Sequence, residues 1–157
     1  MNNIFVDDDY MLMRLFSQVR NAIHKLRRKE LLRYGLSPRK AAILLLIFAE
    51  KENVNPYRIA KWMLLEHHSV SELLDRMEKD GLIEKIRHYD DRKSIGLQLT
   101  KKGFKAAEQA GKVESFRKVM AVLSEEERKQ FINVLKRLRD NALQELGVTS
   151  KLPYPPF

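Results

Sequence analysis

The 157-residue chain sets 30 Lys and Arg against 21 Asp and Glu, for a formal net charge of +9, and contains no Cys. At this length, with 44% hydrophobic residues, it is one domain's worth of chain with enough apolar material for a packed core. The absence of thiols excludes disulfides, thiolate catalysis and thiol-based redox sensing, while the basic balance favours an anionic partner, nucleic acid ahead of a membrane surface.

The first ten residues, MNNIFVDDDY, are acidic and lack a basic lead and an apolar run, so no secretion signal is expected and a cytoplasmic location is. From Asp8 to Tyr34, Leu12, Leu15, Phe16, Val19, Ile23 and Leu26 recur at three- and four-residue spacing, which predicts one long helix with a single apolar stripe. Its basic end closes at Gly35. Ser37-Pro38 and Asn55-Pro56 are each a capping residue followed by proline at the first turn, and they predict helices from Pro38 to near Glu50 and from Pro56 to about Met63. The run AAILLLIFA, residues 41 to 49, is far below the roughly 20 residues of a membrane span and reads as a buried helix.

Another helix is expected from about Glu66 to Asp80, ending at Gly81. Residues 82 to 87 (LIEKIR) and 95 to 99 (IGLQL) alternate apolar and polar and predict two antiparallel strands around a charged loop. Thr100 is expected to cap one helix running to about Met120. Ser124 with Glu127 is the signature of a capping box opening a last helix striped by Phe131, Leu135, Leu138, Ala142 and Leu146. Residues 152 to 157, LPYPPF, hold too many prolines for a helix.

The predicted fold class is mainly α with a small β-hairpin wing: a winged helix-turn-helix with helical dimerisation arms. The expected organisation is a single domain over residues 1–157. Residues 8–34 and 105–147 form the dimerisation region, 36–104 the winged-helix DNA-binding region, and 148–157 a C-terminal tail. A first helix of about 40 Å is longer than the central unit covers, and the C-terminal helices are amphipathic too. Pairing these ends between two chains buries the surplus apolar faces, so a homodimer is expected.

On the helix 66–80, Val70, Leu73, Leu74 and Met77 form an inner face, and His67, His68, Ser69, Ser71, Glu72 and Asp75 face away. Short polar groups at such a helix start suit base edges in the major groove of double-stranded DNA. The plainer reading is a solvated face with Glu72–Arg76 and Asp75–Lys79 as i,i+4 pairs. In the loop, Arg92 and Lys93 follow Asp90 and Asp91. A basic pair at a hairpin tip suits the negative minor groove, with the aspartates holding the loop. Arg39, Lys40, Arg58, Lys61, Lys85 and Arg87 fit a rim contacting phosphate.

The segments SPRKAAILLLIF, RIAKWMLLEHHSVSELLDRMEKDGLIEK and DDRKSIGLQLTKKG, within residues 36 to 103, resemble the MarR family of transcriptional regulators. The resemblance implies a dimeric regulator, repressor or activator, on a pseudo-palindromic operator. In it the helix 66–80 reads the major groove and the hairpin the minor groove. It further implies release by a small, often aromatic, acid where arms meet reading heads. By position, Ser69, Ser71 and Glu72 fall on the reading face, and Asp91 and Lys93 on the wing motif. Lys93 stands where the family usually has Arg, and Glu72 where a basic residue is common, so the operator sequence does not transfer. His24 and Trp62 are the expected effector-pocket liners. No cofactor, metal or enzymatic motif is expected. The alternatives are a metal-responsive regulator of the same fold, suggested by His67-His68 with Glu66, and a basic membrane-surface binder.

Overall fold

The structure, a computed structural model, describes residues 7–50, 54–87 and 95–148. Among these described residues, seven helices and two strands follow in the order α1 (Asp8–Leu32), α2 (Pro38–Glu50), α3 (Pro56–Met63), α4 (His67–Lys79), β1 (Ile83–Arg87), β2 (Ile95–Leu99), α5 (Lys101–Gly111), α6 (Glu114–Met120) and α7 (Glu125–Glu145). The caps at Ser37, Asn55, Thr100 and Ser124 sit where the sequence signals them, and Asp7 adds one at the start of α1. Asp7 accepts from the Asp9 and Tyr10 amides, Asn55 from the Arg58 amide, and Thr100 from the Gly103 amide. Ser124 and Glu127 close a reciprocal capping box.

The core lies where α2, α3 and α4 meet the hairpin. Ile43, Leu44, Ile59, Val70, Leu74 and Met77 are fully buried there, with Leu31 from the end of α1. The strands pair antiparallel with Ile83 opposite Leu99 and Arg87 opposite Ile95. Leu97 N–H donates to the Val54 carbonyl at 2.9 Å, so the segment before α3 is tied to β2. At the base of the hairpin the Thr100 hydroxyl donates to the Gly81 carbonyl at 2.6 Å, and Gly103 packs directly on the Leu82 carbonyl. Hairpin and α5 are thereby welded together. Gly81 supplies the left-handed φ of +68° that ends α4.

The helix expected from Thr100 to Met120 is two helices, not one. α5 stops at Gly111, Val113 takes a left-handed φ of 44°, and α6 starts at Glu114. The cause lies 84 residues upstream. Glu30, on α1 and 6% exposed, accepts from the Glu114 amide at 2.9 Å, the Ser115 amide at 3.2 Å and the Ser115 hydroxyl. A carboxylate from another helix thus caps α6, and the backbone bends to present its amides. Arg27 sits 3.0 Å from the same carboxylate and donates to the Ala110 carbonyl at the end of α5.

Burial alone would push the Glu30 carboxyl up, but the bonds from the Ser115 hydroxyl, from Arg27 and from the Ser115 and Glu114 amides outweigh it. They hold it at about 2 against an ordinary 4.5. A depressed carboxylate stabilises the fold above its unfolded value and loses that contribution as pH falls through the folded value. The thermal midpoint of the parent is therefore expected to fall more steeply than that of Glu30→Gln between pH 4.5 and about 2. Circular dichroism melts of both proteins check this, and parallel curves across that window would remove the assignment.

Among the described residues, nothing covers most of the long apolar stripes of α1 and α7. Leu12, Leu15, Phe16 and Val19 on α1, and Phe131, Leu135 and Leu138 on α7, are all exposed.

Candidate nucleic-acid interface

α3 and α4 form a helix-turn-helix. α3 ends at Leu64, whose left-handed φ of 53° is unusual for a side chain with a Cβ and costs about 1 kcal/mol. The strain is held by the Leu65 amide, which donates back to the Ala60 carbonyl at 2.9 Å, while Leu65 itself packs against the core. The turn delivers α4 with Val70, Leu73, Leu74 and Met77 buried beneath it. This spacing fixes the opposite face: His67, His68, Glu72, Asp75, Arg76 and Lys79 are exposed, and Ser69 and Ser71 are half-exposed at the edge. The side chain of Glu66 makes no capping bond to the first turn of α4.

Two expected cations have partners on the same face. Lys85 on β1 pairs with Asp75 on α4 and lies 3.5 Å from Glu78. The hydrogen bond and charge of Lys85 lower the Asp75 carboxyl, and the bond to Asp75 raises Lys85 against its partial burial. Asp75 therefore joins α4 to the hairpin rather than to Lys79. Lys40 meets Asp80 at 2.5 Å, the hydrogen bond and charge of Lys40 lowering that carboxyl. Arg39 and Lys61 are exposed, and the Arg58 guanidinium stacks 4.9 Å from the Trp62 ring.

Asp91, Arg92 and Lys93 lie outside the described residues, as does the side chain of Arg87, whose backbone pairs with Ile95. The two expected effector-pocket liners stand on different elements: His24 is exposed on α1, and Trp62 is half-buried on α3 against the core. Sequence reasoning passes over Arg76 by treating it as the i,i+4 partner of Glu72. In the structure it is an exposed guanidinium one turn further along the same face, a group suited to guanine or phosphate. Among the described residues no cluster of three His, Asp or Glu side chains has metal-holding geometry, and no helix is long and apolar enough to cross a membrane.

The arrangement can do one kind of chemistry: present a polar helix face and flanking cations to an anionic groove. Known proteins point the same way. The sequence model described as MarR family matches residues 34–94. The HTH-type transcriptional repressor YetL of Bacillus subtilis (strain 168) is 32% identical over 104 residues, 64% of this chain. The matched stretch spans 62% of that repressor's length. The ligand-free organohalide sensing RdhR transcriptional regulator superposes with a TM-score of 0.82 at 28% identity, over 100% of this chain and 94% of that one. Its form bound to 2,4-dichlorophenol gives 0.79 at 29% identity, over 91% and 86%. MepR of S. aureus, in a complex with DNA, gives 0.75 at 22% identity, over 82% of this chain and 96% of its own, a likeness of fold.

Proposed function

We propose, for a chain that belongs to the MarR family, that it is a homodimeric transcriptional regulator, in the main a repressor, that binds a pseudo-palindromic operator and is released by a small aromatic ligand. The observation that carries this reading is the outward face of α4. A row of polar side chains stands on a fully apolar inner face, beside a hairpin, in a chain of net charge +9. The likeness to a transcriptional repressor supports repression, and the likeness to a regulator bound to dichlorophenol supports an aromatic effector.

In this reading residues 36–104 are the DNA-binding head, 8–34 and 105–147 the dimerisation region, and 148–157 a tail. Ser69, Ser71 and Glu72, with His67 and His68, meet base edges. Arg39 and Lys61 meet phosphate. Arg92 or Lys93 reaches the minor groove, and the effector enters where arms and head meet. Glu72 is repelled by phosphate but accepts from cytosine N4, which favours C·G pairs at its position.

The direct test is an electrophoretic shift of duplexes from the chain's own promoter region, followed by selection from a randomised pool. Ser71→Ala and Glu72→Ala are expected to change the selected sequence more than the overall affinity, by about 1–3 kcal/mol at one base pair. Arg92→Ala is expected to weaken binding to all sequences alike. Unchanged preference in both α4 variants would remove α4 from the reading role.

A further inference from the structure

We propose that Glu30 is a positioning residue: its buried carboxylate fixes the angle between the reading head and the helical arms. α1 and α7 belong to the arms, whereas α4 and the hairpin belong to the head. The head continues into α5 without play, because Thr100 bonds to the Gly81 carbonyl and Gly103 abuts the Leu82 carbonyl. The next joint, between α5 and α6, has no helical hydrogen-bond continuity across Lys112 and Val113, and Val113 is left-handed.

The bend has a local bond, from the Lys112 amide back to the Gln109 carbonyl at 3.3 Å, but that bond does not reach α6. The bend is held from α1: Glu30 grips the first two amides of α6, and Arg27, its ion-pair partner, grips the last turn of α5 through the Ala110 carbonyl. One carboxylate–guanidinium pair on the arm thus clasps both sides of the elbow. Beyond it, Arg128 donates to the Met120 carbonyl at 2.7 Å and the Leu123 carbonyl at 3.3 Å, so α7 follows α6. The orientation set at the elbow passes from head to arm with no other loose joint on the path.

A rigid elbow fixes how far apart two heads stand in a dimer, and hence which half-site spacing they accept. That consequence rests on the proposed DNA-binding function, whereas the head-to-arm geometry does not. Two measurements separate them. The chain contains no Cys, so Lys79→Cys on α4 and Gln130→Cys on α7, spin-labelled and diluted with unlabelled protein, report one distance within a chain.

The distance distribution is expected to be narrow in the parent. It should broaden at least about twofold with Glu30→Gln, and less with Ser115→Ala, which removes only the hydroxyl and serves if the first variant fails to fold. On duplexes carrying selected half-sites, with one base pair added or removed between them, the parent should lose about tenfold or more in affinity. Glu30→Gln should lose less than about threefold. Unchanged distance distributions in folded variants overturn the proposal, and a broadened distribution with the parent's spacing preference intact overturns its consequence for half-site spacing. A parent that binds no duplex, with distances that respond as expected, refutes the DNA-binding function and leaves the elbow standing.

Discussion

Gly103→Ala is expected to destabilise the protein by at least about 3 kcal/mol, enough to leave a marginal fold partly unfolded. The backbone there is helical, so Ala on propensity alone would gain roughly 1 kcal/mol. Packing reverses the sign. A Cβ at this position would lie 1.9 Å from the Leu82 carbonyl oxygen and 3.0 Å from its carbon. That carbonyl cannot retreat, because it accepts from the Thr100 amide at 3.2 Å and the Thr100 hydroxyl at 3.3 Å, and the Leu82 amide is itself bonded to the Met77 carbonyl at 2.9 Å. Relief requires α5 to move off the hairpin base, opening the side of the core that Leu82, Leu97 and Ala107 close. Urea unfolding followed by circular dichroism reads the effect. Stability within about 1 kcal/mol of the parent would show that α5 and the hairpin are not welded.

Leu138→Glu is expected to convert the proposed dimer to monomer at micromolar concentration and to lower operator affinity by about 100-fold or more. Leu138 is 57% exposed within the chain, on the same face as Phe131 and Leu135, and α1 presents Leu12, Leu15 and Phe16 in the same state. Covering one such leucine contributes about 1.5–3 kcal/mol, and an unpaired carboxylate in its place costs several more. In a twofold assembly each substitution acts twice. The chain's own core does not include Leu138, so helix content should be unchanged while light scattering falls from two subunits to one. A variant that remains dimeric, or a parent that is already monomeric, would remove this face from the interface.

The apolar spacing of α2, α3 and α4, the caps at Asn55, Thr100 and Ser124, and the alternation of the hairpin are local signals, and those elements are legible in the sequence. The break after Gly111 is announced only by that glycine, the same kind of stop as Gly35 and Gly81. Lys112 and Val113 are ordinary helix residues, and the carboxylate that bends the chain there belongs to Glu30, far away in sequence. The same limit applies on the head. Asp75 reads as a solvated partner of Lys79 by helix spacing, yet the fold brings β1 alongside and Lys85 takes it. Gly103 looks dispensable in a helix until the Leu82 carbonyl is placed against it. Long-range contacts of single polar groups carry no periodicity, so no pattern announces them.

The ion pairs of Lys40 with Asp80 and of Lys85 with Asp75 have a consequence for any polyelectrolyte that docks on this face. A lysine already neutralised within its own chain must share or surrender its aspartate before it displaces a condensed counterion. The displaced ions, and so the steepness with which added electrolyte dissolves the complex, are therefore fewer than a tally of basic residues suggests. In any such complex each ion-paired lysine adds less than a full counterion to that stoichiometry, whereas the exposed Arg39 and Lys61 add theirs undiminished.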